Sequence, residues 1–157
     1  MTTQASINLY NACGESGDLD LVKKSLRQGA DLFSTHGQYS ATPIMLALGW
    51  SQTQVSNYLL NQTKDVDLKK LLSQANSFGS NPLTYACFSC PASLVKKVAE
   101  LSWPSERNRR DKNGRSPLAI GVWCNNLSSV RILLTQVDGV DYDCRANNGW
   151  TIEELAR

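Results

Sequence analysis

The stretch Asn113-Gly114-Arg115-Ser116-Pro117-Leu118-Ala119-Ile120-Gly121 decides how the rest of the chain is read. Asn-Gly is a tight-turn pair. Ser-Pro then opens a helix. A serine side chain can accept from an orphan N–H of the first turn. Proline at the first helical position gives up an N–H that had no partner. After the short helix come Leu127, Val130, Ile132, Leu133 and Leu134, the apolar stripe of a second helix. Turn, short helix and second helix make one unit. Such a unit cannot bury its apolar side alone and needs stacked neighbours.

The neighbours are present as copies. Thr42-Pro43-Ile44-Met45-Leu46-Ala47, Asn81-Pro82-Leu83-Thr84-Tyr85-Ala86 and Ser116-Pro117 open equivalent units, and Thr151-Ile152-Glu153-Glu154-Leu155-Ala156 opens a last one without the proline. The first copy runs through Asn8 and Cys13-Gly14-Glu15-Ser16-Gly17-Asp18 and closes on Gly29-Ala30-Asp31. The starts at 8, 42, 81, 116 and 151 lie 34, 39, 35 and 35 residues apart. This recurrence, with these letters, resembles the ankyrin repeat family. The resemblance covers roughly residues 6 to 157.

What the resemblance implies is an all-α fold: an ankyrin-repeat solenoid with hairpin-like loops and about four and a half degenerate repeats. These fall at about 8–41, 42–80, 81–115 and 116–150, with a partial repeat at 151–157, in one domain spanning 1–157. The fifth unit stops within one helix, which leaves open whether the chain is a piece of a longer protein. The family's histidine after Thr-Pro-Leu is replaced throughout, by Asn11, Met45, Thr84 and Ala119.

Local readings follow. Residues 1–7 are polar apart from Ile7 and read as frayed. Leu9, Leu19, Leu21, Val22 and Leu26 are core candidates of the first helix pair. Alanines at 47, 86 and 119 let helices approach closely, and the leucine pairs 59–60 and 133–134 face neighbouring helices. The insertion Asp65–Ser73 carries Leu68, Leu71 and Leu72 at helical spacing and predicts an extra helical turn. Leu94, Val95, Val98 and Leu101 mark a buried stripe that Trp103-Pro104 ends. Between Ser105 and Ser116, five basic residues stand among two acidic ones. Asn113-Gly114 predicts a hairpin-like finger there, made basic by Arg109, Arg110, Lys112 and Arg115.

Composition agrees with a single packed unit: 157 residues, 41% hydrophobic, net charge +2. That balance is too mild to demand a nucleic acid, and the basic residues are too few and too local to form a groove for one. No run of 18 apolar residues predicts a membrane span. A basic-then-apolar leader is missing, so a cytoplasmic or nuclear, non-secretory location is expected. Five cysteines without scaffold spacing suit a reducing compartment.

Catalytic signals are sparse. The single histidine, His36, falls in a loop. Cys87-Phe88-Ser89-Cys90 has metal-pair spacing, but it sits in helical slots that favour packing. Cys124 is a third thiol from the neighbouring unit, with no fourth ligand for structural zinc. No catalytic residue, metal or cofactor is expected.

The resemblance also implies which side chains face a partner. In an ankyrin unit the fifth and eighth positions point from the inner helix into the groove. Those positions are Leu46 and Gly49, Tyr85 and Phe88, Ile120 and Trp123, with Trp50 beside Gly49. An exposed apolar patch of this kind marks a binding site, and tryptophan, tyrosine and arginine are the usual hot-spot types. The expected function is protein binding through an aromatic groove formed by Leu46, Trp50, Tyr85, Phe88, Ile120 and Trp123. Arg109, Arg110, Lys112 and Arg115 form its basic rim. The alternative is a non-catalytic targeting or regulatory segment that recruits the substrate protein of a larger enzyme. The partner is expected to be another protein of unknown identity, and oligomeric state stays open.

Overall fold

The computed structural model describes residues 2–142, 149, 151 and 154. Among them the chain is helical: α1 Gln4–Ala12, α2 Leu19–Arg27, α3 Pro43–Gly49, α4 Thr53–Gln62, α5 Asp65–Ser73, α6 Pro82–Ser89, α7 Ala92–Leu101, α8 Pro117–Trp123 and α9 Leu127–Gln136, with a 3-10 turn at Pro104–Asn108. Pairs α1–α2, α3–α4, α6–α7 and α8–α9 stack. One layer runs α1, α3, α6, α8, while α2 packs on α4 and α7 on α9 in the other. The partial repeat expected at 151–157 lies outside the described residues except for Thr151 and Glu154.

The proline-led starts behave as the letters predict in two of three units. Asn81 accepts from the Thr84 N–H at 2.9 Å, and Ser116 from the Ala119 N–H at 3.2 Å. Thr42 does not cap, and its Oγ1 is buried without a partner. The N-terminus corrects the sequence reading: Thr3 caps α1 by accepting from Ser6 N–H, so helix begins at Gln4 rather than fraying through residue 7.

Small residues bring the layers together. Ala47 and Ala86 are fully buried. The next equivalent slot is Gly121, where a Cβ would lie 3.2 Å from Val130 Cγ2. The core is continuous through the stack, from Leu9 and Val22 through Ile44, Leu59 and Leu83 to Leu118 and Leu133. The insertion forms a full nine-residue helix, α5, which buries Leu68, Leu71 and Leu72 against α6 and α7.

One leucine departs from expectation. Leu60, Ala99 and Leu134 are equivalent by position on α4, α7 and α9. The first two are 2% and 0% exposed, whereas Leu134 is 48% exposed. Inner repeats have a following pair to cover that side. For α9 no described helix does so.

The connecting turns repeat as well. Asn76 N–H donates to Ser80 O, and Asp111 N–H to Arg115 O, both at 3.0 Å. In each turn the leading side chain closes the loop. Asn76 Oδ1 accepts from Phe78 and Ser80 N–H groups, and Asp111 Oδ1 from Asn113 and Arg115. Gly79 and Gly114 supply positive φ at 80° and 77°. Successive turns are tied edge to edge: Ser77 N–H donates to Tyr39 O, and Lys112 N–H to Phe78 O, at 2.8 Å. The hairpin-like finger expected around Asn113-Gly114 is thus the last described rung of a ladder of turns.

Candidate protein-binding surface

The turns and the first helices of the pairs set a series of aromatic side chains along one edge of the stack. Tyr39 and Phe78, on successive turns, have ring centroids 5.2 Å apart. Tyr85 and Phe88, one helical turn apart on α6, meet edge to face at 6.0 Å. The four rings line one cleft of about 260 Å³, with Asn76 and Arg115 closing its polar side. Asn76 Nδ2 donates to Tyr85 Oη at 2.8 Å, which fixes the phenol. Gly49 makes room for that ring, since a Cβ there would stand 2.9 Å from Tyr85 Cδ1. Burial, opposed by the Asn76 bond, raises the Tyr85 pKa and keeps it a neutral phenol.

Arg115 joins this cleft to α8. Its Nε and Nη2 both meet Asp111 Oδ2, at 2.9 and 2.8 Å. Its Cζ lies 4.9 Å from the Trp123 ring centroid, a cation–π contact. Trp123 is 56% exposed, and Trp50, at the end of α3, is 52% exposed.

The expected site residues divide. Tyr85, Phe88 and Arg115 line one cleft, and Trp123 adjoins it through Arg115. Leu46 is half-buried over Gly14. Ile120 is corrected: it is 0% exposed and belongs to the core, because α8 turns this position toward α6 and α9. The basic rim is corrected too. Arg109 does not stand free at a tip. Its Nη1 donates to Ser73 O at 3.1 Å and pairs with Glu106 at 3.3 Å. Arg115 is held by Asp111 and lies against Trp123, and Arg110 and Lys112 are exposed. Tyr39 and Phe78 were missed, although each stands three residues before the residue that precedes a proline, Thr42 or Asn81.

The remaining polar groups support packing. Cys87 and Cys90 are buried and Cys124 is half-buried, all free thiols. Cys90 ends α6 rather than lying within it, and its Sγ–H donates to Leu48 O at 3.1 Å. Burial pushes the Cys13 thiol up to about 12 and Cys90 to about 11, and raises Cys87 and Cys124 as well. Ser34 Oγ lies 2.9 Å from His36 Nε2 but donates its proton to Asp31 O at 2.7 Å. Among the described residues no group of three or more His, Cys, Asp or Glu could hold a metal ion, and no helix is long and apolar enough to cross a membrane.

Comparison with known proteins agrees with the stack. The chain is 29% identical over 135 residues to the phosphocholine transferase AnkX of Legionella pneumophila, which covers 84% of this chain and 14% of that protein. It is 28% identical over 127 residues to the tyrosine-protein kinase Shark of Drosophila melanogaster, covering 81% of this chain and 13% of that one. The chain thus spans a small part of the curated relatives it matches. The family described as ankyrin repeats (3 copies) matches residues 9–102. With its paired helices, proline-led starts and laddered turns, the chain belongs to the ankyrin-repeat family, as a general protein–protein interaction module.

Proposed function

We propose that this module binds a partner protein through the edge formed by its turns and first helices, with Phe88, Tyr85 and Trp123 at the centre and Arg110 and Lys112 beside them. One observation carries the reading: the exposure of Trp123, set against the Arg115 that also walls the aromatic cleft. An exposed indole beside a fixed guanidinium is the composition of an interface hot spot. The test is to capture partners from a lysate of the parent cells, then measure the affinity and melting curve of Trp123→Ala. Weakened affinity with an unchanged melting temperature supports the reading. Unchanged affinity of the folded fraction ends it. Binding that weakens steeply with salt and is competed by oligonucleotide would point to phosphate instead.

A second reading is favoured by the relatives. Both are named as enzymes, and the chain matches 14% and 13% of their lengths. On that reading the segment is the non-catalytic part of a larger enzyme and brings it a substrate protein. The chain by itself should transfer neither phosphocholine nor phosphate to an added protein. Transfer by the purified 157-residue chain would overturn both readings of it as non-catalytic.

A further inference from the structure

The cleft between the second and third turns has a size, a wall and a charge that together specify an occupant. Its volume is about 260 Å³. Sites for drug-sized ligands and cofactors run from about 300 to 1,000 Å³. A single side chain, not a cofactor, is the matching guest. The walls are Tyr39, Phe78, Tyr85 and Phe88. Two of these rings are exposed by nearly half, so the apolar wall meets water when nothing fills it.

The polar side is built, not incidental. Arg115 is held by Asp111, which is itself 6% exposed and locked by two backbone N–H groups. Both guanidinium bonds to Asp111 use Nε and Nη2, so the Nη1 end takes no part in that pairing. Its Cζ also lies 4.9 Å from the Trp123 ring centroid, a second contact on the guanidinium. The neighbouring turns, residues 32–41 and 74–81, carry no Asp, Glu, Lys or Arg, whereas 105–116 carries five basic residues against two acidic. The turn that supplies Arg115 therefore carries a net positive charge, and a carboxylate is its complement.

We propose that this cleft is the anchor pocket for an acidic linear segment of the partner protein. The segment inserts one apolar side chain among Phe78, Tyr85 and Phe88 and sets an adjoining carboxylate against Arg115. The proposal rests on the protein-binding reading above and narrows it to a partner chemistry. Gly49 is part of the device, because a methyl group there would press on Tyr85 and change the shape of the pocket.

The experiment titrates the isotope-labelled 157-residue chain with three blocked tripeptides, leucine flanked by glutamates, by glutamines or by lysines. Resonances of Phe78, Tyr85, Phe88 and the Arg115 side chain are followed. The acidic peptide should shift this set and saturate at about a tenfold lower concentration than the neutral one, the scale of one charge-assisted hydrogen bond. The lysine peptide should leave it unmoved. Arg115→Gln should erase the preference for acid while neutral binding persists. Phe88→Ala should lose both. Equal shifts with all three peptides, or shifts elsewhere on the surface, would overturn the pocket. So would an oligothymidylate that moves the same resonances, because aromatic stacking and cations also suit a nucleic acid. The peptide series on the unmodified chain decides the matter even where a variant does not fold. If no peptide binds, yet Trp123→Ala still weakens the captured partner, the anchor pocket fails and the wider reading stands.

Discussion

Trp123 and Ile120 stand three residues apart on α8 and predict opposite outcomes when cut to alanine. Ile120 is fully buried, so Ile120→Ala removes packing and leaves a cavity, at about 2–5 kcal/mol of stability. Trp123 is mostly in water and leaves no cavity. Its replacement forfeits the Arg115 contact, worth about 0.5–1 kcal/mol at an exposed site. It should cost about 2 kcal/mol or more of partner affinity if the indole is a hot spot. Paired thermal melts and binding isotherms separate the two. The thiols give a pH prediction at the same scale. Burial raises Cys13 from an ordinary value of 9.0 to about 12 and Cys90 to about 11. An unfolded chain ionises these thiols first. The stability of the folded state is therefore full below about pH 9 and falls as pH climbs through the folded values. Melting temperature should drop above pH 9, and Cys13→Ala should flatten that drop. Native alkylation at pH 8 should mark half-buried Cys124 before Cys13, Cys87 or Cys90.

At the scale of the element, position within the stack sets what the same letter is worth. Leu60→Ala on α4 should cost about 2–5 kcal/mol, and Leu134→Ala on α9 well under 1 kcal/mol, although the two occupy equivalent slots. Chemical denaturation of both variants checks the contrast, and equal losses would contradict it. Asn81 joins two elements. It caps α6 through Oδ1, while its Nδ2 donates to Glu106 O and Oε2 at 2.9 and 3.1 Å. Asn81→Ala should therefore cost more than the ~1 kcal/mol of an ordinary lost cap, since it also strips a partner from the buried Glu106 carboxylate. Asn81→Asp keeps the cap but sets a carboxylate against Glu106, and it should rescue only in part. Denaturant midpoints of the two variants measure the difference.

Among the described residues the main contacts of each pair are with its neighbours, so stability is approximately a sum of pair and interface terms. The middle pairs have an interface on both sides. α9 leaves Leu134 48% exposed, and no described helix follows it. Amide exchange should be slowest in α3, α6 and α7 and faster in α9, and a uniform profile would contradict the additive picture. A far-UV spectrum should be helical, with little strand signal.

The sequence by itself determined the repeat. Ser116-Pro117 and Asn81-Pro82 specify helix starts through local bonds, Asn113-Gly114 specifies a turn, and a recurrence of 34–39 residues specifies stacking. These are short-range effects, complete within a few residues, so they can be read in order along the chain. Leu68, Leu71 and Leu72 likewise announced helix in the insertion, though not its nine-residue length. Only the tertiary structure decided which side each helix turns. Ile120 and Tyr85 share one slot, yet the first is core and the second walls a cleft, because Gly49 and the Asn76 bond hold the Tyr85 ring where it stands. It also decided that Arg109 reaches Ser73, that Arg115 reaches Trp123 and that Tyr39 meets Phe78. Those contacts join residues from different elements, and charge or ring type along a chain carries no record of which element lies beside which.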